Sequence, residues 1–286
     1  MANRTVLITG TSSGFGLETA TLLATRGWRV FAGMRDPDKR GDLDASMAMA
    51  GAPDGAVDVV PLDVTDGASI ERAAAQVLKA TGNALDAVVH NAGVSSAGYV
   101  EDLPIEEYRR VLETNFFGVV QLTGAVVPAM RERGSGRIVV ISSNSAHLPM
   151  PLLGPYTASK WAVEGWAEIA SFELAPFGIE VLIVVPGAHT GTALGANFRV
   201  FHPDGSVFAP YFGGVMTGLG KIGRAHGDPK NVAAHLAQVL ESSKPRFRTQ
   251  VGWDAVEADE DARTKSFAQR ARRIRRLTGL PSDKAT

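Results

Sequence analysis

The fold is set near the N-terminus by the stretch Arg4-Thr-Val-Leu-Ile-Thr-Gly-Thr-Ser-Ser-Gly-Phe-Gly16. Its apolar run, residues 4–9, predicts a β-strand, and the glycine-rich run 10–16 predicts a turn. Apolar residues at helical spacing over 17–26 then predict a helix. In such a unit the glycines let backbone N–H groups approach a pyrophosphate at the helix N-terminus, where the helix dipole favours negative charge. The stretch therefore indicates a phosphate-binding turn, although the same residues also suit a turn that binds nothing.

Strand-like runs recur along the chain, and helical segments lie between them. Further strands are predicted over 28–34, 57–64, 85–90, 137–142 and 179–187. Helices are predicted over 68–80, 105–117 and 157–174, and the segment 38–55 predicts a helix and a loop. Such alternation is typical of an α/β protein with helices packed on a parallel sheet.

The composition is that of an ordinary globular chain. Of its 286 residues, 45% are hydrophobic and 21% charged, and the net charge of −1 gives no electrostatic case for nucleic-acid binding. The absence of cysteine excludes disulfides, thiolate metal sites and cysteine nucleophiles, so redox chemistry requires a cofactor, and we expect no metal. No run approaches the roughly 18 apolar residues of a membrane span, and the N-terminus carries no signal pattern, so we expect a cytoplasmic protein.

A hydroxyl, a phenol and an ammonium are predicted to meet at Ser143, Tyr156 and Lys160. Tyr156 and Lys160 are four residues apart on a predicted helix and therefore share a face. A fixed ammonium favours the ionised form of a neighbouring acid, so we expect Lys160 to lower the pKa of Tyr156 towards neutrality and make it a general acid or base. Ser143 follows the predicted strand 137–142, which brings it to the same sheet edge.

These residues resemble the motifs of the short-chain dehydrogenase/reductase family over about residues 3–245. The ordinary-length branch has the same Thr-Gly-x-x-x-Gly-x-Gly spacing as residues 9–16, and Asn91-Ala-Gly93, Asn115 and Pro186-Gly187 follow in family order. The resemblance implies a single Rossmann-type domain, a doubly wound parallel sheet with helices on both faces. It also implies hydride transfer between NADP(H) and a small apolar alcohol or ketone.

The resemblance assigns roles to individual residues. Tyr156 would exchange a proton with the substrate oxygen, Ser143 would hydrogen-bond that oxygen, Lys160 would bind the nicotinamide ribose, and Asn115 would hold a relay water. The family writes Asn where His90 stands, and Thr where Gly191 stands, so Thr190 and Thr192 both remain candidates. The expected cofactor contacts are Gly10, Ser12, Ser13, Gly14, Phe15, Gly16, Arg35, Asp63, Val64, Asn91, Ala92, Gly93, Tyr156, Lys160, Pro186, Gly187, Thr190 and Thr192.

The choice between NADP and NAD depends on the end of the second strand. An acid there would bind the ribose 2′-hydroxyl of NAD, whereas an arginine accommodates the 2′-phosphate of NADP. The family tends to place the acid where Met34 stands and Arg next in NADP users, so Arg35 favours NADP(H). Asp36 as a ribose ligand, and a simple turn at both residues, remain alternatives. Asp63 resembles the adenine-contacting acid, but it also suits a turn or helix cap.

The C-terminal third predicts a lid and an extension. Residues 188–225 hold eight glycines among several aromatic residues, and the resemblance places a substrate lid here. We expect Leu148, Met150, Leu152 and Leu153 to face the reacting carbon, and Phe198, Phe201, Phe208, Tyr211 and Phe212 to line the lid, unless these aromatics pack it onto the body. Residues 1–250 would form the catalytic domain, and 251–286 an extension, with Phe267, Ala271, Ile274 and Leu277 on the apolar face of a basic helix.

Two other functions share parts of this pattern. A dinucleotide-sensing regulator would bind cofactor without turnover, but the chain keeps all four catalytic residue types. A sugar-nucleotide epimerase is disfavoured by the glycine spacing. An NAD-dependent dehydrogenase of the same family remains the alternative to NADP. Pairing of long helices across a dimer axis, which the resemblance implies, predicts a homodimer or homotetramer.

Overall fold

A seven-stranded parallel sheet forms the centre of the protein in this computed structural model, which describes residues 4–148, 150–189, 198–223 and 227–281. The strand order is β3-β2-β1-β4-β6-β7-β9, and β5 pairs with β8 in a separate two-stranded ribbon. The strands are β1 Thr5–Thr9, β2 Arg29–Met34, β3 Val57–Pro61, β4 Ala87–His90, β5 Ser96–Ala97, β6 Gly136–Ile141, β7 Ile179–Pro186, β8 Arg199–Val200 and β9 Arg248–Val251.

Helices cover both faces of the sheet, which confirms the predicted Rossmann-type α/β fold in a single domain. They are α1 Gly14–Thr25, α2 Gly41–Ala50, α3 Gly67–Thr81, α4 Ile105–Leu112, α5 Gly118–Arg133, α6 Gly154–Leu174, α7 Ala209–Gly223, α8 Pro229–Glu241, α9 Trp253–Thr264 and α10 Phe267–Thr278. Because successive side chains alternate across a strand, Leu7 packs on the face covered by α3, α5 and α6, whereas Val6 and Ile8 pack on the face covered by α1 and α8.

The predicted helix 105–117 is longer than expected. A π-helical turn, Glu113–Phe117, joins α4 to α5, so the helix runs without a break to Arg133. By length and composition Ile105–Arg133 would be apolar enough to cross a membrane, but core helices meet the same criterion. Here Val119, Leu122 and Val126 pack into the core beside the sheet, which accounts for the apolar composition.

The lid segment contains more regular structure than its sequence predicts. Residues 209–223 form helix α7 despite their glycines. A Cβ on Gly214 would lie 2.9 Å from the carbonyl oxygen of Thr278, and one on Gly218 would lie 2.6 Å from that of Leu277. The two glycines are one turn apart and therefore let the end of α10 approach the α7 backbone closely.

The C-terminal extension forms two helices rather than one. Helix α9 was not predicted, and α10 covers most of the predicted basic helix. Ile274 packs beside Leu148 and Met150, as expected for an apolar face, but Phe267 is 76% exposed because it lies at the first residue of α10, away from that contact. The proposed boundary at residue 250 stays a prediction.

Candidate active site

A cleft of about 800 Å³ opens at the carboxyl ends of the parallel strands. This is where an open α/β sheet binds ligands, because the strand-to-helix loops diverge there. The cleft runs from the ends of β3 and β2, past the β1–α1 turn and the end of β4, to the ends of β6 and β7. It therefore brings together most of the residues that the sequence singles out.

The glycine-rich turn follows β1 and lines the cleft between the ends of β2 and β4. Gly10 has φ +71°, and a Cβ there would lie 2.9 Å from the Cα of Ala92. A Cβ on Gly16 would overlap the carbonyl oxygen of Gly10, so the turn can close only with glycine at both positions. Ser13 makes no side-chain cap at the start of α1, and the first turn of α1 holds no acid, so its N–H groups are left for an anionic ligand. The turn fits the pyrophosphate of a dinucleotide, and Ser12, Gly14 and Phe15 also line the cleft.

Asn91, which follows β4, connects the glycine turn to that strand by hydrogen bonds. Its Nδ2 donates to the carbonyl oxygens of Thr9 (2.9 Å) and Gly10 (3.0 Å), while the Thr9 hydroxyl accepts from the backbone N–H groups of Asn91 and Ala92. The preceding His90 is buried, and its Nε2 lies 2.9 Å from the hydroxyl of Thr123. Burial lowers the pKa of His90 to about 3, so it is a neutral structural residue.

The ends of β2 and β3 form the far wall of the cleft. Arg35 lines it, and among the described residues no carboxylate pairs with Arg35. Asp36 instead accepts from the N–H of Asp38 at 3.2 Å and lies 3.6 Å from the Lys39 ammonium. Asp63 lines the cleft beside Val64 and also accepts from the N–H and hydroxyl of Thr65. Asp63 therefore makes the turn that its sequence position suggests, while its contact with adenine stays a prediction.

Ser143, Tyr156 and Lys160 lie together at the other wall. Tyr156 and Lys160 are both buried on α6, with the ammonium nitrogen 5.7 Å from the centre of the phenol ring. The ammonium donates to the carbonyl oxygen of Ile141 at 2.8 Å, which fixes it to the end of β6. The Ser143 hydroxyl accepts from the N–H of Ser145 at 3.1 Å. The predicted meeting of hydroxyl, phenol and ammonium is present.

The expected lowering of the tyrosine pKa is not found. Burial raises the pKa of Tyr156 above its ordinary value, and a hydrogen bond with Ser143 only partly opposes this. Burial likewise lowers the pKa of Lys160 to about 8, against the opposing charge of Glu164. The cost of removing both groups from water outweighs the effect of the Lys160 charge and decides the direction of both pKa shifts.

Asn115 lies in the π-helical turn, and its side-chain amide nitrogen makes two hydrogen bonds as a donor. Its Nδ2 donates to the carbonyl oxygen of Val94 and to the hydroxyl of Ser159, both at 2.9 Å, and its Oδ1 accepts from the N–H of Val94. A Cβ on Gly93 would lie 3.5 Å from Oδ1 and 3.9 Å from the nitrogen of Lys160, so this glycine keeps the space beside both open. The relay water assigned to Asn115 stays a prediction.

The Pro186-Gly187 end of β7 closes the cleft beside Tyr156. A Cβ on Gly187 would overlap the carboxylate of Asp254, so only glycine fits. Asp254 accepts from the N–H of Ala188 at 2.7 Å and from Asn144 at 3.0 Å. Thr190 and Thr192, the two candidates for the nicotinamide contact, lie outside the described residues.

The apolar residues divide between the cleft and the body. Leu148, Met150, Leu153 and Phe198 line the cleft as expected. Leu152, with φ +73°, turns away and packs with Phe208 and Phe212 in a cluster that also holds Tyr99. Tyr99 stacks on Phe208 at 4.3 Å, which explains why this part of the lid segment packs on the body. Phe201 and Tyr211 do not line the cleft either. Of the five lid aromatics Phe198 lines the cleft, whereas Phe208 and Phe212 follow the alternative in which they pack the lid onto the body.

Comparison with known proteins decides the family. The family model for short chain dehydrogenases matches residues 4–200. The chain belongs to the short-chain dehydrogenase/reductase family. It is 34% identical to a 3-ketodihydrosphingosine reductase of Bacteroides thetaiotaomicron over 253 residues, 88% of this chain and 89% of that protein.

Solved structures of short-chain dehydrogenase/reductases agree with this assignment. A short-chain dehydrogenase from Streptomyces avermitilis superposes with a TM-score of 0.81 at 31% identity, covering 99% of this chain and all of the other. An actinorhodin polyketide ketoreductase bound to NADPH gives 0.73 at 30% identity, covering 87% and 96%. The chain is accordingly an oxidoreductase that acts on CH–OH groups with an NAD(P) nucleotide.

The most connected residue that the sequence argument missed is Glu164, one turn after Lys160. Its side chain is 8% exposed; it accepts from the Ser142 hydroxyl, pairs with Arg248 at 2.6 Å and lies 3.4 Å from His147. Burial favours the neutral acid, but bonds from His147 and Ser142 and the charge of Arg248 lower the pKa of Glu164. The i, i+4 spacing from Lys160 was the available signal; no local pattern points to Arg248 or Asp254.

Proposed function

We propose that this enzyme transfers a hydride between NADP(H) and the carbonyl or carbinol carbon of a largely apolar substrate. The observation that carries the proposal is a single cleft that joins the glycine turn to Ser143, Tyr156 and Lys160 beside apolar walls. When bound, the nicotinamide supplies the hydride chemistry. The residues of the chain supply orientation and the proton.

Tyr156 exchanges a proton with the substrate oxygen through its phenol. Because burial raises the pKa of Tyr156, the phenol is protonated at neutral pH and suits proton donation to a carbonyl oxygen. Ser143 hydrogen-bonds the same oxygen, and Lys160, held at the Ile141 carbonyl, binds the ribose. Asn115 braces the β4 loop against α6 through Val94 and Ser159 and holds the relay water.

Preference for NADP(H) over NAD(H) rests on Arg35. Its guanidinium lines the cleft and has no acidic partner among the described residues. The carboxylate of Asp36 instead accepts from the N–H of Asp38 and pairs with Lys39. A charge-assisted contact to the 2′-phosphate contributes about 10- to 150-fold in affinity. Dissociation constants for NADPH and NADH in wild type and Arg35→Ala measure this. Equal affinities in the wild type would favour NAD and refute the assignment.

An apolar substrate is supported by Leu148, Met150, Leu153 and Phe198 in the walls. Burial of apolar surface contributes about 25 cal/mol per Å², so a multi-carbon ligand is favoured over a polyol. The relative from Bacteroides is named 3-ketodihydrosphingosine reductase, and its name refers to the reduction of a keto compound. The sequence places the lid at residues 188–225, of which the structure describes 188–189 and 198–223. Proteolysis of residues 190–225 should slow when cofactor and an apolar ketone are added together.

A homodimer or homotetramer in the cytoplasm completes the proposal. Trp161, Ile169 and Phe172 are 60%, 57% and 71% exposed and are spaced along one side of α6. A Cβ on Gly165, between them, meets no atom, so the surface is open to a second copy. Exposed apolar patches of this kind commonly mark interaction surfaces.

Tyr156→Phe tests the catalytic assignment directly. The ring is kept, so NADPH binding should stay near the wild-type value, while turnover of a ketone that the wild type reduces should fall by about 10²- to 10⁴-fold. The NADPH affinity serves as the internal control, because it reports whether the variant keeps a folded cofactor site. Wild-type turnover in Tyr156→Phe would show that the phenol does not transfer the proton.

A further inference from the structure

Two arginines in the cleft wall share one buried carboxylate. Glu107 on α4 has a side chain that is only 5% exposed. Arg110, one turn later, donates to both of its oxygens, at 2.8–3.2 Å, and also donates to the carbonyl oxygen of Ser95. Arg199, from the lid strand β8, donates to the same carboxylate at 2.8 Å and is 58% exposed. Two positive charges therefore face one negative charge.

The shared charge lies at the substrate end of the cleft. Arg199 pairs in register with Ser96, and two residues on, Gly98 donates its N–H to the carbonyl oxygen of Leu152, in the loop between Ser143 and Tyr156. The helix that contains Arg110 continues from α4 into α5. It reaches the adenine end of the cleft only at Gly118, which packs against Val64. Arg110 is eight residues earlier, about 12 Å back along the axis. Arg110 and Arg199 are therefore separated from the adenine end that Arg35 and Asp63 form.

The charge balance at this end is positive. Both arginines line the cleft, whereas the carboxylate of Glu107 does not. Asp63, at the opposite end, is the one carboxylate among the lining residues that the structure describes. The Nη1 group of Arg110 and the Nε and Nη2 groups of Arg199 make no hydrogen bond with the described residues, so they remain for a ligand.

We propose that Arg110 and Arg199 form a subsite for a carboxylate at the far end of an otherwise apolar substrate, so that the enzyme prefers oxo or hydroxy acids of fatty type. Guanidinium groups match carboxylates in geometry as well as charge. The apolar walls hold the hydrocarbon chain, and the buried Glu107 fixes both guanidiniums in place. The inference rests on the proposed function, because it assigns the substrate of the same cleft.

Calorimetry tests the subsite without knowledge of the substrate. It measures the binding of dodecanoate and of dodecan-1-ol to the enzyme–NADPH complex. The two probes share the hydrocarbon chain and differ in charge. Because Arg199 is partly exposed, we expect dodecanoate to bind about tenfold tighter at low salt and the difference to shrink as salt increases. In Arg199→Gln the difference should disappear, and in Arg199→Lys most of it should remain.

Arg109→Gln is the matched control. Arg109 is the adjacent residue on α4, pairs with Glu106 at 3.6 Å, and is 74% exposed outside the cleft, so this variant should keep the wild-type preference. Equal binding of the two probes, or no binding of dodecanoate, overturns the subsite. If Arg199→Gln bound both probes more weakly by the same factor, Arg199 would only hold the lid strand β8 in place, and the subsite would be overturned. Weaker binding of NADPH to Arg199→Gln than to the wild type would show that Arg199 interacts with the cofactor. That result would also overturn the subsite. Turnover of neutral ketones tests the proposed function separately.

Discussion

Replacing Lys160 with methionine should stabilise the fold at neutral pH while removing activity. Lys160 is 5% exposed, and burial lowers the pKa of its ammonium from 10.5 to about 8. A base whose pKa is lower in the folded than in the unfolded state destabilises the fold wherever the unfolded chain keeps its proton. The difference between the two pKa values corresponds to about 3 kcal/mol at pH 7.

The stabilisation should depend on pH in a defined direction. Between pH 8 and 10.5 the unfolded chain binds the proton that the folded protein has released, so the stability of the wild type rises through this window. The advantage of Lys160→Met therefore shrinks to about 1 kcal/mol at pH 9.5. Loss of the hydrogen bond to Ile141 subtracts about 1 kcal/mol at either pH. The informative quantity is the change between the two pH values, about 2 kcal/mol.

Urea unfolding of wild type and Lys160→Met at pH 7 and pH 9.5 measures this change. Lys79→Met, at an exposed position on α3, is the control and should show little effect at either pH. If the difference in unfolding free energy between Lys160→Met and the wild type is the same at both pH values, the pKa of Lys160 does not differ between the folded and unfolded states. Burial would then not lower it. If the variant is less stable at both, the contacts of Lys160 outweigh its desolvation.

Three further outcomes are expected. Gly16→Ala should weaken NADPH binding by at least about tenfold, measured by fluorescence titration, because its Cβ overlaps the Gly10 carbonyl and something must shift; unchanged affinity would mean that the turn adjusts freely. Since burial raises the pKa of Tyr156, ketone reduction should hold its rate from about pH 6 to 8, while alcohol oxidation should rise with pH up to at least about 9; an acidic optimum for oxidation would contradict this. Phe172→Glu should yield monomers in light scattering, and an unchanged oligomer would place the interface elsewhere.

Local sequence signals were enough for the fold and for most of the cofactor end. The glycine spacing, the strand-to-helix alternation and the i, i+4 pair on α6 each depend on neighbours in the chain, so they could be interpreted without coordinates. The limits of elements were less certain. Helix α1 begins at Gly14 rather than Leu17, because the last residues of the glycine turn are already helical.

Long-range contacts account for what the sequence argument did not anticipate. Asp254 comes from the C-terminal extension to hold Ala188, and Arg248 from β9 to pair with Glu164. Leu152 and Phe208 have the same apolar character as Leu148, yet they pack on the body rather than facing the cleft. Side-chain type fixes which residues are buried but not which of two apolar surfaces they join, since that depends on how the loops dock.

The docking of the C-terminal helices on the substrate wall has a consequence for how such enzymes diverge. The part of the chain that matches the family model ends at residue 200, whereas Asp254, Ala258 and Ile274 support the loops that shape the cleft. Exchanging tails between relatives would therefore alter which ligands fit, provided that the new tail keeps an acid at the position of Asp254, which holds Ala188 and Asn144 at the cleft. Substitutions beyond residue 200 can therefore change the shape of the substrate wall without replacing Ser143, Tyr156 or Lys160.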